Sequence, residues 1–175
     1  MSRRTNFSSV KLAKRKILAL IPLPIRYETI RSKINIPLRS NSDLSFKLAD
    51  TENELAQAYQ LLYTCYIEQG FLKPQKNKMH ILPHFVLPTS CTLIAKYKEE
   101  TIGTLSIIKS NTLKLPMEKE FTLNIADRDS GNYAEISALA VNKDFRRQQG
   151  GTVFFYLLKF MYHFCVSNLN IRHLY

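Results

Sequence analysis

The sequence predicts an α+β domain of three layers, a mixed and mostly antiparallel sheet flanked by helices, and three stretches predict it. Cys91 to Tyr97 and Thr101 to Ile108 are rich in β-branched and apolar residues and are joined by Lys98-Glu99-Glu100, the pattern of an antiparallel hairpin. Leu55, Tyr59, Leu62 and Tyr66 recur at spacings of four, three and four, the apolar stripe of an amphipathic helix. Tyr133 to Val141, YAEISALAV, reads as a strand, and a polar turn leads from it into an apolar helix running from about Gly151 to Val166.

The other elements follow from local signals. Ser45 to Ala49 reads as a short strand. Thr51-Glu-Asn-Glu54 is a capping box that starts the first helix, and Gly70 ends it. Phe71 to Pro88 carries three prolines and the histidines His80 and His84, and reads as a long connecting loop. Pro83, between the histidines, argues against the helix that would set both on one face for a metal ion. Ser110 to Asn132 is a second irregular stretch, Asn142 to Gln149 is a polar turn, and Ile171 to Tyr175 begins a further strand. The last helix is apolar nearly all round, so its aromatic residues are expected in the core.

A chain of 175 residues with 45% hydrophobic content has material for one substantial core and is short for two. No apolar run approaches the ~18 to 20 residues that cross a bilayer, because charges or prolines interrupt each candidate. Cys65, Cys91 and Cys165 lie far apart with no C-x-x-C spacing, so neither a disulfide framework nor a zinc site is suggested, and a reducing compartment fits. The net charge of +11 is unevenly placed: residues 1–40 hold ten Lys or Arg against Glu28 alone, a net of +9. The chain therefore divides into a basic arm, residues 1–42, and a folded domain, residues 43–175. The arm suits an anionic membrane surface or an acidic partner. Its serine-containing, acid-poor composition also suits a transit peptide better than a signal peptide, and a solubilising tail is the plainer alternative. The folded part is nearly neutral and shows no recognition motif, so no nucleic-acid partner is expected.

The unit that carries chemistry is strand, arginine-rich turn, glycine pair, helix. Gly150 and Gly151 at the mouth of a helix leave backbone N–H groups unhindered at the positive end of its dipole, where a phosphate binds well. Arg146 and Arg147 add fixed positive charge there. Taken alone, the glycines also fit a simple helix-start turn and the arginines a solvated face. The segment is neither a Walker loop, since no Lys-Ser or Lys-Thr follows the glycines, nor a G-x-G-x-x-G fingerprint.

Arg147-x-x-Gly150-x-Thr152 resembles the acyl-thioester-binding motif of GNAT-type acyltransferases, Arg/Gln-x-x-Gly-x-Gly/Ala, with Thr152 departing from its last position. Leu61-Leu-Tyr-Thr-Cys-Tyr-Ile-Glu-Gln-Gly70, Ile102-Gly-Thr-Leu-Ser106, Leu115-Pro-Met-Glu118 and Glu135-Ile-Ser-Ala-Leu-Ala-Val141 occur in the order seen in long-chain N-acyl amino acid synthases, relatives of the acyl-homoserine-lactone autoinducer synthases. The resemblance spans roughly Phe46 to Tyr175. It implies a GNAT-type fold, here short of the last helix and strands, and transfer of a long-chain acyl group to the amine of an amino acid or similar small acceptor. The donor would be an acyl carrier protein or coenzyme A thioester, with no permanently bound cofactor and no metal.

The resemblance also implies roles for named residues. Glu135 would be the base, acting directly or through a water. The backbone of Leu139, Ala140 and Val141 would pair with the pantetheine arm, N–H groups around Ala138 to Ala140 would hold the oxyanion, and Ser137 would hydrogen-bond substrate. Arg146, Arg147, Gly150, Gly151 and Thr152 would meet the phosphate end. An acidic carrier protein would be drawn to the arm and the arginine pair, which places the enzyme in the cytoplasm or at the membrane periphery. Two positions depart from the family: Leu62 and Ala138 stand where arginines are common. A competing reading is an inert acyl-binding or peripheral membrane protein, or a truncated homologue.

Overall fold

The structure, a computed structural model, describes residues 43–110, 114–121, 132–146 and 151–175. The basic arm lies outside them. The elements in chain order are β1 (Leu44–Leu48), α1 (Glu52–Glu68), a 3₁₀ turn (Pro83–Val86), β2 (Ser90–Tyr97), β3 (Glu100–Lys109), a second 3₁₀ turn (Pro116–Lys119), β4 (Tyr133–Val141), the one-turn α2 (Lys143–Arg146), α3 (Thr152–Ser167) and β5 (His173–Leu174). The strands form one sheet in the order β1-β2-β3-β4-β5, antiparallel throughout except for the parallel pair β4–β5. It is an α+β sandwich of three layers, with α1 on one face and α3 on the other.

The start of α1 is half of the expected capping box. Thr51 Oγ1 accepts the Glu54 N–H at 3.2 Å, but the Glu54 carboxylate accepts the N–H of Asp50, at 3.3 Å, rather than that of Thr51. Glu54 is drawn aside by cations from the sheet, Lys47 at 3.0 Å and Lys96 at 3.3 Å. At the other end Gly70 takes φ +74°, and the N–H groups of Gly70 and Phe71 return to the carbonyls of Ile67 and Tyr66. These bonds form a Schellman motif, closed by the Tyr66 and Phe71 rings in edge contact at 5.7 Å.

Tyr59, Leu62 and Cys65 of α1 pack against Ile108, Tyr133, Ala138 and Ala140 on one side of the sheet. Val153, Leu157, Met161 and Cys165 of α3 pack against Leu93, Ala95, Leu105, Ile107, Ala134 and Val141 on the other. Gly103 lets α3 come down on β3: a Cβ there would lie 2.9 Å from Leu157 Cδ1 and 3.0 Å from Val153 Cγ1. The outer side of α3 departs from the expected all-buried helix, since Phe155 and Tyr162 are each 45% exposed. A helix laid on one sheet face has a side that nothing covers, however apolar its sequence. Among the described residues no helix is long and apolar enough to cross a membrane.

Two boundaries differ from the sequence expectation. The hairpin turn is only Lys98 and Glu99, because Lys98 adopts φ +54° and Glu100 already pairs with Tyr97. The turn after β4 opens as α2, because Asn142 Oδ1 accepts the Asp144 N–H at 3.1 Å and acts as a cap.

The Lys47 ammonium foremost, then the Asp50 N–H and Lys96, holds the Glu54 carboxyl down to about 2, from its ordinary 4.5. The stability this adds is complete above the ordinary value and is lost as pH falls from there through about 2. Glu54→Gln therefore lowers the urea midpoint at pH 7, and the gap to the parent protein closes as the titration is repeated toward pH 2. Gly103→Ala forces Leu157 and Val153 to shift and costs about 1 to 3 kcal/mol, read from the same urea curves at fixed slope.

Candidate active site

β4 is the strand on which the expected site residues lie, and a one-residue irregularity arranges them. Thr104 stands opposite Ala140 and Ser106 opposite Ser137, so Leu105 alone on β3 faces both Ala138 and Leu139 on β4. This is a β-bulge, and Ala138 adopts φ +54° to make it. Because side chains alternate along a strand, the extra residue flips the phase. Tyr133 and, beyond the bulge, Ala138 and Ala140 thus share the α1 side, while Ala134, Ile136, Leu139 and Val141 share the α3 side. Ala138 and Leu139 have no Cα partners in the β3 ladder.

The two long edges of β4 are also treated differently. From Tyr133 to Ile136 the side away from β3 is covered by the chain's last segment: Tyr133 and Ala134 pair with His173 and Leu174, and the Ile136 N–H reaches the Tyr175 carbonyl at 2.9 Å. Beyond Ile136 no strand pairs with that side among the described residues. The Val141 carbonyl there accepts from Arg146 Nε at 2.7 Å, with Cys65 Sγ at 3.5 Å.

Arg146 is therefore committed. Its guanidinium bonds Val141 with Nε and lies 3.3 Å from the Glu68 carboxylate with a terminal nitrogen, which ties α2 to both β4 and the end of α1. The side chain remains about one-third exposed. Gly151 is the N-cap of α3 with φ +82°, and its position lies close to the Arg146 carbonyl. Thr152 opens the helix. Arg147 and Gly150 fall outside the described residues. The structure thus brings Val141, Arg146, Gly151 and Thr152 to one end of β4, next to the dipole end of a 16-residue helix.

Glu135 lies toward the other end of β4, roughly 20 Å from Val141 at strand rise. It stands opposite Ile108, so its side chain faces the α1 side, where it is 8% exposed. Its carboxylate accepts the Met117 N–H at 2.9 Å, from the second 3₁₀ turn. Burial pushes its carboxyl above the ordinary value, the Met117 amide and His84 pull it down, and Glu118 pushes it up. Ser137 is half-buried on the same side, opposite Ser106, whose hydroxyl lies 3.3 Å from that of Thr92. The two positions that depart from the family, Leu62 and Ala138, lie in one apolar cluster.

Sequence reasoning missed the partners of these groups. The sequence presents His84 only as one of a spaced histidine pair, yet it is buried and bonded through Nε2 to the Lys114 carbonyl at 3.2 Å, in the stretch whose Met117 N–H meets Glu135. Glu68 and Met117 lie in stretches that carry the resemblance but have no role assigned from sequence, since one acts through a long-range ion pair and the other through its backbone. A cavity of about 600 Å³ lies between the end of α1, the β2–β3 turn and the start of α2, lined by Gln57, Thr64, Glu68, Glu100 and Lys143 among others. It does not include Glu135.

A bulged β4, an edge that changes partner along its length and a glycine-started helix at its far end are compatible with the expected GNAT-type fold. The family model of the N-acyl amino acid synthase FeeM matches residues 57–175, and the chain belongs to that family. Among solved structures it is similar to FeeM, an N-acyl amino acid synthase from uncultured soil microbes, with TM-score 0.61 and 21% identity over 75% of this chain and 69% of that one. It is similar to the AHL synthase LasI, with TM-score 0.59 and 14% identity over 77% and 71% of the two chains. A possible acetyltransferase from Clostridium difficile 630 aligns with TM-score 0.53 and 14% identity over 76% and 78%. At these identities the structures speak for the fold. No curated protein matches the chain in sequence.

Gly151 starts α3 from a left-handed backbone. A Cβ there meets only ordinary contacts at 3.7 Å and beyond, so the strain of Gly151→Ala is purely that of a left-handed backbone. The substitution costs about 1 to 2 kcal/mol in thermal or urea unfolding.

Proposed function

We propose that this enzyme moves a long-chain acyl group from an acyl carrier protein thioester, or from coenzyme A, to the amine of an amino acid or a similar small acceptor. The observation that carries the reading is Glu135: a carboxylate buried on β4, on the strand whose bulge lies three residues further along. The thioester arm would run along β4 from Glu135 toward Val141. Its phosphate end would meet the N-terminus of α3 at Gly151 and Thr152, with Arg146, Arg147 and Gly150 beside it.

The chemistry is then addition and elimination at the thioester carbonyl. Glu135 takes a proton from the acceptor's nitrogen, directly or through a water, and the nitrogen bonds to the carbonyl carbon. Backbone N–H groups at Ala138 to Ala140, of which Ala138 and Leu139 are taken out of the regular β3 register by the bulge, stabilise the oxyanion. The C–S bond breaks, and the thiolate leaves with the electron pair and takes a proton from solvent. Ser137, half-buried on the same face, would hydrogen-bond substrate. The thioester is a co-substrate, and no permanently bound group is required. The basic arm favours an acidic carrier protein as the donor's bearer, or an anionic membrane surface, in a cytoplasmic enzyme that meets the membrane at its periphery.

A second reading, an inert acyl-binding protein, is favoured by one observation. Leu62 and Ala138, at family arginine positions, pack in the same apolar cluster, so no cation stands there to hold an acidic acceptor.

Lipid extracts of bacteria expressing this chain, analysed by mass spectrometry beside a Glu135→Gln strain, decide between them. New N-acyl amino acids that vanish in the variant are expected. Their absence from both strains, with folded protein present, establishes the inert reading.

A further inference from the structure

We propose that the cavity at the end of β4 remote from Glu135 is a second binding site, and that it takes a small organic cation, an aliphatic diamine or polyamine. The proposal does not depend on the reading of Glu135 as the base.

Three segments build the cavity. α1 supplies one wall, with the amides of Gln57 and Gln60 and the apolar surface of Leu61 and Cys65. The β2–β3 turn and the start of β3 supply the second, and Asn142 to Asp144 supply the third. Hydrogen bonds fix the walls to one another. Gln57 Oε1 accepts the Thr101 N–H at 2.9 Å, and the Asn142 N–H donates to the Ile102 carbonyl at 2.8 Å.

Thr101 is the residue that points to a ligand. It stands opposite Lys96, whose ammonium reaches Glu54 of α1 at 3.3 Å, so both side chains face the α1 side of the sheet, where the cavity lies. Thr101 is 4% exposed, and among the described residues its hydroxyl has no hydrogen-bond partner. The buried hydroxyls of Ser90 and Ser110 share that condition, but neither residue lines the cavity. Buried hydroxyls in folded proteins are nearly always bonded, and this one belongs to the wall of a polar space from which a donor can reach it.

The charge of the walls decides the class of ligand. Four carboxylates and the one ammonium of Lys143 line the cavity, in a chain whose net charge is +11. Two of the four are committed, Glu68 to Arg146 and Glu99 to Lys96, each at 3.3 Å. Glu100 on the hairpin and Asp144 on α2 are exposed and pair with no cation among the described residues. These two carboxylates stand on the two walls that the Asn142–Ile102 bond joins. Such a pair, with amides between, suits a molecule carrying an ammonium at each end, and Leu61 and Cys65 suit the methylenes that join them. A metal ion fits less well, because among the described residues no three His, Cys, Asp or Glu side chains come together to hold one.

The test is a titration of the ¹⁵N-labelled full chain with 1,4-diaminobutane at low salt, followed by amide shifts, with n-butylamine and magnesium chloride as controls. Saturable shifts are expected at Thr101, Asn142 and the side-chain amide of Gln57, with neither control matching them. Glu100→Gln and Asp144→Asn should each weaken binding about threefold, the worth of an exposed ion pair. Thr101→Val keeps the shape and removes the hydroxyl, and should weaken binding about tenfold, the worth of a hydrogen bond to a charged group. Its urea midpoint should be no lower than the parent's, since no bond within the protein is lost. The absence of saturable shifts, equal shifts with n-butylamine or magnesium, or an unchanged affinity in a folded Thr101→Val overturns the proposal. So does an unchanged affinity in the Glu100→Gln, Asp144→Asn double variant, whose exposed positions leave the fold intact whatever becomes of Thr101→Val.

Discussion

The bulge at Ala138 and Leu139 is the constraint on which the rest of the arrangement depends. A regular β4 would send side chains of one parity to α1 along its whole length, and the apolar residues of YAEISALAV do not keep one parity. Tyr133 must reach the α1 side and Val141 the α3 side, although an even number of residues separates them. One inserted residue resolves the conflict, at the expense of a left-handed alanine. The same insertion leaves Ala138 and Leu139 outside the β3 register at the middle of the strand, between Glu135 and the α3 end.

Ion pairs at the start and at the end of α1 hold the helices in place. At its start, Glu54 gathers Lys47 from β1 and Lys96 from β2, which fixes the helix across the two strands it must span. At its end, Glu68 receives Arg146, which also bonds the Val141 carbonyl. The arginine expected to meet a phosphate is therefore also a structural clamp. A phosphate beside it would compete with Glu68 for one face of the guanidinium, and Nε would keep its hold on β4.

Glu135 shows how a residue can be proposed for a site from sequence before its environment is known. Its identification came from the pattern Glu-Ile-Ser-Ala-Leu-Ala-Val and the resemblance that pattern carries. Its surroundings came from segments read only as irregular: Pro83 to Val86 and Pro116 to Lys119 each form a single 3₁₀ turn. Both begin at a proline, which suits the first position of a helical turn because it needs no N–H there. Proline in the sequence marked these places as breaks. It did not reveal that the second break meets the Glu135 carboxylate through the Met117 N–H, 18 residues away in the chain, nor that His84 of the first is bonded to Lys114 just before it.

What the sequence determined by itself were the properties set by neighbours in the chain. The helical stripe of α1, its threonine cap and glycine stop, the hairpin, the span of β4 and the glycine start of α3 are all local, and each appears within a residue or two of its expected place. Tertiary structure decided what depends on distant residues. It turned Glu54 from a helix cap into an ion-pair hub, left Phe155 and Tyr162 in the open on a helix that reads as wholly buried, and fastened His84 and Glu135 to one short stretch, Lys114 to Met117. The reason is physical: backbone propensity and periodicity act over a few residues, whereas burial and charge pairing are fixed only when the sheet brings separate segments together.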